Sequence, residues 1–282
     1  MKFSRADADV FSPDAVLAET ALARTTHLCV AAHQDDIEIM AHSGITTCYE
    51  QPRRHFTGVV VTDGAGSPRS GPYASLNDAE MRDLRRNEQR RAAVLGKYNL
   101  QLQLAHPSSA IKTADPDARA DLCAIFSACA PEIVYLHSPA DKHDTHVALL
   151  LRCLEVLRML PIGNRPRRVV GCEVWRDLDW LVDRDKIALD ASARPDLAAA
   201  LLRLFDSQIS GGKRYDAATL GRRAANATFH TAHATDEMTA VTWAMDLTPL
   251  IVDERLNVRD YTLAHVERLR ADIAQRLEKF GA

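Results

Sequence analysis

Short apolar runs alternate with amphipathic stretches along the first 175 residues. Residues 27–32, 56–62 and 133–137 are brief runs rich in Val, Ile, Leu and Ala, and they read as strands buried on both faces. Residues 168–175 read the same way. Residues 98–105 alternate polar and apolar side chains, the pattern of a half-buried strand. Helical spacing fills the intervals. Residues 12–23 begin with Ser12 as a candidate N-cap and Pro13 at the first helical position. Residues 37–49, 117–129 and 146–160 follow the same period. Residues 78–95 place Met81, Leu84, Ala92 and Leu95 on one side, with Gly96 as the stop. Beyond Asp177 the pattern loosens, leaving a helix over 195–205 and a closing amphipathic helix over 260–280.

Strands alternating with helices predict an α/β fold: a Rossmann-like, mostly parallel sheet with helices on both faces. The expectation is a single domain with an irregular C-terminal part. A metal-site core spans about 25–175, and a substrate-pocket portion spans about 176–282. Ligands of such sheets bind beyond the carboxyl ends of the strands. His33, Asp63, His137 and the turn at His143 all follow strand ends, so all can converge on one rim.

Composition narrows the class. The chain has 282 residues, 46% apolar and 26% charged, enough for a sizeable core. A net charge of −3 with scattered basic residues argues against a nucleic-acid partner. No long uncharged apolar run exists; even 147–162 is interrupted by Arg152, Glu155 and Arg158, so no membrane span is expected. The N-terminus lacks a signal-peptide core. Six cysteines without CxxC pairing read as small buried hydrophobes in a reducing compartment. These features predict a cytoplasmic protein with a small-molecule substrate. Homo-oligomerisation is compatible with all of them.

The chemistry concentrates in two turns. His33-Gln34-Asp35-Asp36-Ile37-Glu38 follows the first buried run, and His143-Asp144-Thr145-His146 follows the run at 133–137. Adjacent carboxylates beside imidazoles are costly unless a cation or a proton transfer uses them. A hydrolytic zinc site takes three protein ligands and keeps one position open. His33 and Asp36 can face one point across the turn, and His146 is the natural third ligand. Asp35 would point differently and stay free to take a proton. His143 could stabilise an oxyanion or protonate a leaving group. The bland alternative makes Asp35 or Asp36 a helix N-cap.

These residues carry a family resemblance. The first turn resembles the AHPDD(x)E signature of the PIG-L/LmbE-like zinc-dependent N-deacetylases, and the second resembles that family's HxDH. Val61-Thr62-Asp63-Gly64-Ala65-Gly66 resembles its TDGxxG turn, Arg85 with Glu88 and Leu95-Gly96 its RxxE…LG helix, and Ser207-Gln208 a weaker SQ feature. The fit covers residues 25 to about 150. It implies that one deacetylase domain spans 1–282, that His33, Asp36 and His146 hold Zn2+, that Asp35 is the general base, that His143 stabilises the tetrahedral intermediate, and that Arg85 lies near substrate. Three positions depart from the family pattern. Gln34 replaces a Pro, Met40-Ala41-His42-Ser43 replaces a glycine-rich stretch, and Thr145 replaces the Asp of HxDH, with Asp144 one place earlier.

Other candidates for substrate contact are Asp63, Arg69 and Tyr73 on the loop after the second strand, and His42. His230 and His233 read as a pocket lip or a surface loop. The resemblance implies removal of an N-acetyl group from an amino sugar or its conjugate. It equally admits a zinc-dependent hydratase or lyase of a small unsaturated acid, because family members of that kind exist. A degenerate metal-binding module, suggested by Thr145, is the third reading. A His2Asp site also accepts divalent transition metals other than zinc.

Overall fold

The computed structural model describes residues 1–281. Eight strands form one sheet: β1 (Asp9–Phe11), β2 (His27–Ala31), β3 (Phe56–Thr62), β4 (Leu100–His106), β5 (Ile133–His137), β6 (Arg168–Cys172), β7 (Ile187–Asp190) and β8 (Val241–Asp246). Their spatial order is β1-β4-β3-β2-β5-β6-β8-β7. Five adjacent strands, β4, β3, β2, β5 and β6, run parallel; β1 and β8 add antiparallel on either side of them, and β7 pairs antiparallel with β8 at the far edge. This is the mostly parallel α/β sheet that the sequence predicts.

Twelve helices cover it: α1 (Ala18–Ala23), α2 (Asp36–Met40), α3 (His42–Cys48), α4 (Asp78–Leu95), α5 (Ser108–Lys112), α6 (Pro116–Ala128), α7 (Asp144–Met159), α8 (Pro195–Arg203), α9 (Asp206–Ile209), α10 (Tyr215–Thr228), α11 (Thr248–Val252) and α12 (Val258–Lys279). The period-2 alternation of each strand sends side chains to two separate cores. Leu28, Val30, Val59, Val134 and Leu136 meet Leu122, Phe126, Leu149 and Cys153 of α6 and α7 on one face. Cys29, Ala31, Val60, Tyr135 and Val170 meet Ile37, Met40, Ile45, Ala92 and Leu201 of α2, α3, α4 and α8 on the other. All six cysteines are free, and all but Cys123 are buried. No helix among the described residues is long and apolar enough to cross a membrane.

Four local expectations change. The helix expected from Ser12 starts only at Ala18, because Ala15 takes φ 57, which a right-handed helix cannot contain, and the Ser12 hydroxyl turns to Asp14. The helix expected over 37–49 is two helices broken at Ala41 (φ −122, ψ 23). β4 is not half-buried: its polar residues Gln101 and Gln103 are buried under α4 and bond to Gln89, Gln34 and Asp9. The C-terminal stretch supplies β7, β8 and α10, which its loose pattern concealed.

Candidate active site

Strand order reverses direction at β2 and β5: the chain builds outward through β3 and β4 on one side and β6 on the other. The crevice at such a switch point is the usual ligand position in an open α/β sheet. β2 delivers the turn at 33–36 into it, and β5 delivers the turn at 138–146.

His33 Nδ1, Asp36 Oδ2 and His146 Nε2 form a near-equilateral triangle. The three separations are 3.2 Å for His33–Asp36, 3.2 Å for His33–His146 and 3.3 Å for Asp36–His146. Ligands about 2.0–2.1 Å from a tetrahedral ion lie about 3.3 Å apart, so these three atoms fit one face of a divalent-metal site. Asp36 Oδ2 also accepts the His33 backbone N–H at 2.8 Å, which closes the turn. Burial opposes charge on His146, but the Asp36 and Asp141 carboxylates outweigh it and raise the imidazole to about 9. The surroundings therefore favour positive charge at that point. Burial works against Asp36 as well, yet His146, His33 and His137 hold its carboxyl well below the usual range.

His137 lies close by, its Nε2 3.7 Å from Asp36 Oδ2 and its ring stacked on His146 with centroids 3.8 Å apart. Its Nε2 accepts the Ala32 N–H at 2.9 Å, which occupies the lone pair that a metal would need. His137 Nδ1 has no partner among the described residues, and His137 stands with Asp36 and His146 in a second group of donors close enough to hold an ion, as His143 does with His33 and His146. Asp141 is the partner that sequence reasoning missed. Its Oδ2 lies 3.3 Å from His146 Nδ1, and its Oδ1 accepts the His143 N–H at 2.9 Å. A carboxylate behind a ligand histidine fixes the ring and makes it more basic. The signal for it was an Asp five residues ahead of His146 in the same turn.

Asp35 sits at the N-cap position of α2, but its side chain makes no capping bond, which removes the bland reading. Its φ of 90° is a left-handed conformation that costs a non-glycine residue energy and turns its carboxylate toward the cavity. Gln89 Oε1 accepts its N–H at 3.3 Å, and Arg85 Nη2 lies 3.5 Å from its Oδ1. Burial pushes the Asp35 carboxyl well above its usual value; Arg85 opposes this, and Asp36 and Glu38 reinforce it. Arg85 also donates to the Gln34 carbonyl and the Ser67 hydroxyl, tying the Asp35 turn to the loop after β3. Gly64 lies in that loop at φ 72, and a Cβ there would stand 2.5 Å from Gln34 Oε1 and 3.0 Å from Arg85 Cδ.

His143 packs on His146 (centroids 4.4 Å), His33 (5.0 Å) and Trp175 (5.8 Å). Burial and the two neighbouring imidazoles lower it to about 4. Asp144 is exposed and makes no hydrogen bond to His143, while Thr145 is buried at the cavity wall. The ring's Nδ1 has no partner among the described residues, so aromatic packing orients it in place of a carboxylate.

A cavity of about 650 Å3 opens above these groups and is lined by His33, Asp35, Asp36, Arg85 and His143. Four expected substrate contacts stay outside that lining. Asp63 accepts the Ala65 N–H within its own turn. Arg69 bonds to Asp78 and the Ala65 carbonyl. Tyr73 bonds to Asp206. His42 is buried between α3 and the Ala193 carbonyl, with Nε2 at 3.1 Å. His230 packs on Trp243, and His233 is exposed.

Residues after 170 complete the site. Trp175, Tyr215, Lys213 and Arg222 form part of the cavity wall. Arg223, from α10, donates to the Glu38 and Ile39 carbonyls at 2.7 and 3.0 Å and so grips the far end of α2. Ser207 bonds through its N–H and hydroxyl to Glu88 of α4 at 2.8 and 2.6 Å, joining two of the weaker motif positions.

No curated protein matches this chain by sequence. Solved structures do match it in shape. N,N′-diacetylchitobiose deacetylase from Pyrococcus horikoshii aligns at 16% identity over 86% of this chain and 90% of its own, with a TM-score of 0.61. GalB, the 4-carboxy-2-hydroxymuconate hydratase from Pseudomonas putida, aligns at 17% identity over 79% and 96%, with a TM-score of 0.58. The A40926 pseudoaglycone deacetylase Dbv21 aligns at 17% identity over 79% and 97%, with a TM-score of 0.54. At these identities the likeness establishes the fold. The family model described as "PIG-L: GlcNAc-PI de-N-acetylase" matches residues 28–155, the stretch that holds nearly all of β2, the turns at 33–36 and 138–146, and most of α7. Residues 28–155 of this chain are accordingly a PIG-L family domain.

Proposed function

We propose that this protein is a metal-dependent N-deacetylase acting on an amino sugar or amino-sugar conjugate. The observation that carries the reading is the triangle of His33, Asp36 and His146 with the strained, uncapped Asp35 beside it. A divalent ion held by those three residues, zinc in our reading, would supply Lewis-acid polarisation of the amide carbonyl. Asp35 takes the proton of the attacking water on its carboxylate and returns it to the departing amine nitrogen; its raised pKa suits both transfers. Arg85 keeps that carboxylate in place from 3.5 Å. His143, neutral near pH 7, donates an N–H to the carbonyl oxygen as charge builds there. The deacetylases that share this fold, and the family model's description, point to the same reaction.

One observation favours a second reading, hydration of a small unsaturated acid: cationic side chains line the cavity, and a hydratase shares the fold. Metal content and acetate release from N-acetylated sugars decide between them. The expected result is about one zinc per chain, with Asp35→Asn retaining metal and losing roughly 100- to 10,000-fold in rate. Absence of bound metal, or full activity in Asp35→Asn, would overturn the proposal. Bound metal with hydration of unsaturated dicarboxylates and no acetate release would establish the second reading.

A further inference from the structure

Among the described residues, the cavity lining contains two acids, Asp35 and Asp36, and both belong to the reacting centre. Five cations face them. Arg85 is engaged with Gln34, Ser67 and Asp35, and Arg214 is paired with Asp216 at 2.9 and 3.0 Å. Lys112, Lys213 and Arg222 remain; none of the three has a carboxylate within 4.0 Å among the described residues, though Arg222 is near enough to the buried Glu173 for each to feel the other's charge.

Unpaired surface lysines are ordinary. These three differ in converging on one concavity from separate places in the chain: α5, the turn before α10, and the middle of α10. Two are also held in place. Arg222 is half-buried and donates to the Val174 carbonyl, so its guanidinium is fixed at the wall. Lys213 Nζ stands 4.5 Å over the Trp175 ring, and that ring is 5.8 Å from the His143 ring. Tyr215 meets Trp175 in an edge-to-face arrangement, ring centroids 6.1 Å apart. The wall therefore runs outward from His143 through an aromatic surface to fixed positive charge. Like charges gathered in a low-dielectric cleft repel one another and focus an attractive field on an anion. The chain as a whole carries −3, so this is a local feature and no general polyanion surface.

We propose that the cavity selects substrates bearing a carboxylate or phosphate group, held by Lys213 and Arg222 with Lys112 from α5, while a sugar ring lies on Trp175. The inference deepens the N-deacetylase reading and rests on it for the identity of the bond that is cut. It identifies the acid group as the determinant of selectivity.

The test compares N-acetylglucosamine with N-acetylmuramic acid and N-acetylglucosamine 6-phosphate. Binding is measured by calorimetry on zinc-loaded Asp35→Asn protein, and kcat/KM on the active enzyme. The expected result is an advantage of about ten- to hundredfold for an acidic sugar, the scale of one charge-assisted bond. Arg222→Gln and Lys213→Gln each shrink the acid-to-neutral ratio, acting on KM more than on kcat, and salt above about 0.5 M weakens it. Comparing the carboxylate with the phosphate shows which group the site prefers. Lys213→Gln keeps the test decisive should Arg222→Gln fold poorly, since Lys213 is exposed. Equal binding of neutral and acidic sugars, or a preference that survives both substitutions, would overturn the inference. Tight acid binding without acetate release would count for the acid subsite and against the deacetylase reaction.

Discussion

Neighbouring aspartates at 35 and 36 are driven in opposite directions by surroundings that differ by a single turn of backbone. Asp36 faces three imidazoles and stays ionised; Asp35 faces one guanidinium and two carboxylates, and burial raises it. That difference suits Asp36 to the ligand role and Asp35 to the base role that we propose. Asp141 adds a third carboxylate behind His146. We expect Asp141→Asn to keep the fold, since an amide oxygen can still accept the His143 N–H, and to weaken metal affinity about 10- to 100-fold. Competition with a coloured chelator measures it, and unchanged affinity would mean that the 3.3 Å contact plays no part in holding metal. The convergence of His33, Asp36 and His146 was legible in the sequence because each turn brings its own groups together locally. Asp141 was not, because its role depends on which way the 138–146 turn folds.

At the scale of elements, α2 is five residues long and carries the reacting aspartates at its start. So short a helix is not stable by itself. Arg223 holds its far carbonyls, and Glu38 inside it accepts from Tyr98 and Gln89 at 2.7 and 2.9 Å. Arg223→Met should remove two charge-assisted bonds worth about 1.5–3 kcal/mol each and leave the Glu38 and Ile39 carbonyls without a donor. Denaturant midpoints should fall, and amide exchange at 36–40 should quicken more than at β3. Uniform quickening across the sheet would assign Arg223 a merely global role. None of this was visible in the pattern of residues. α10 lies some 180 residues beyond α2, and β4's polar face looked like a solvent face because a buried polar network and an exposed one share the same alternation.

At the scale of the molecule, β2, β3, β5 and β6 were legible because parallel strands buried on both faces are largely unbroken apolar runs. β1 and β7 are three and four residues long and lie at the sheet edges, where a sequence pattern has little length in which to register. Acid should destabilise the fold partly through His42. Burial and the nearby Arg223 guanidinium lower its imidazole from 6.5 to about 4. Above pH 6.5 both folded and unfolded chains hold it neutral and stability is complete. As pH falls from 6.5 toward 4, the unfolded chain takes up a proton that the folded one refuses, and about 3 kcal/mol is lost. Melting curves of wild type and His42→Gln across that window should converge toward low pH, and parallel curves would refute the assignment. The cavity itself joins two stretches of chain. The proposed ligands and base come from 33–146, and the aromatic and cationic wall comes chiefly from 174–222. Selection could therefore rewrite the wall by drift in the later stretch while the reactive turns stay untouched, so that one inherited reaction could be readdressed to new molecules by altering a single contiguous sixth of the gene.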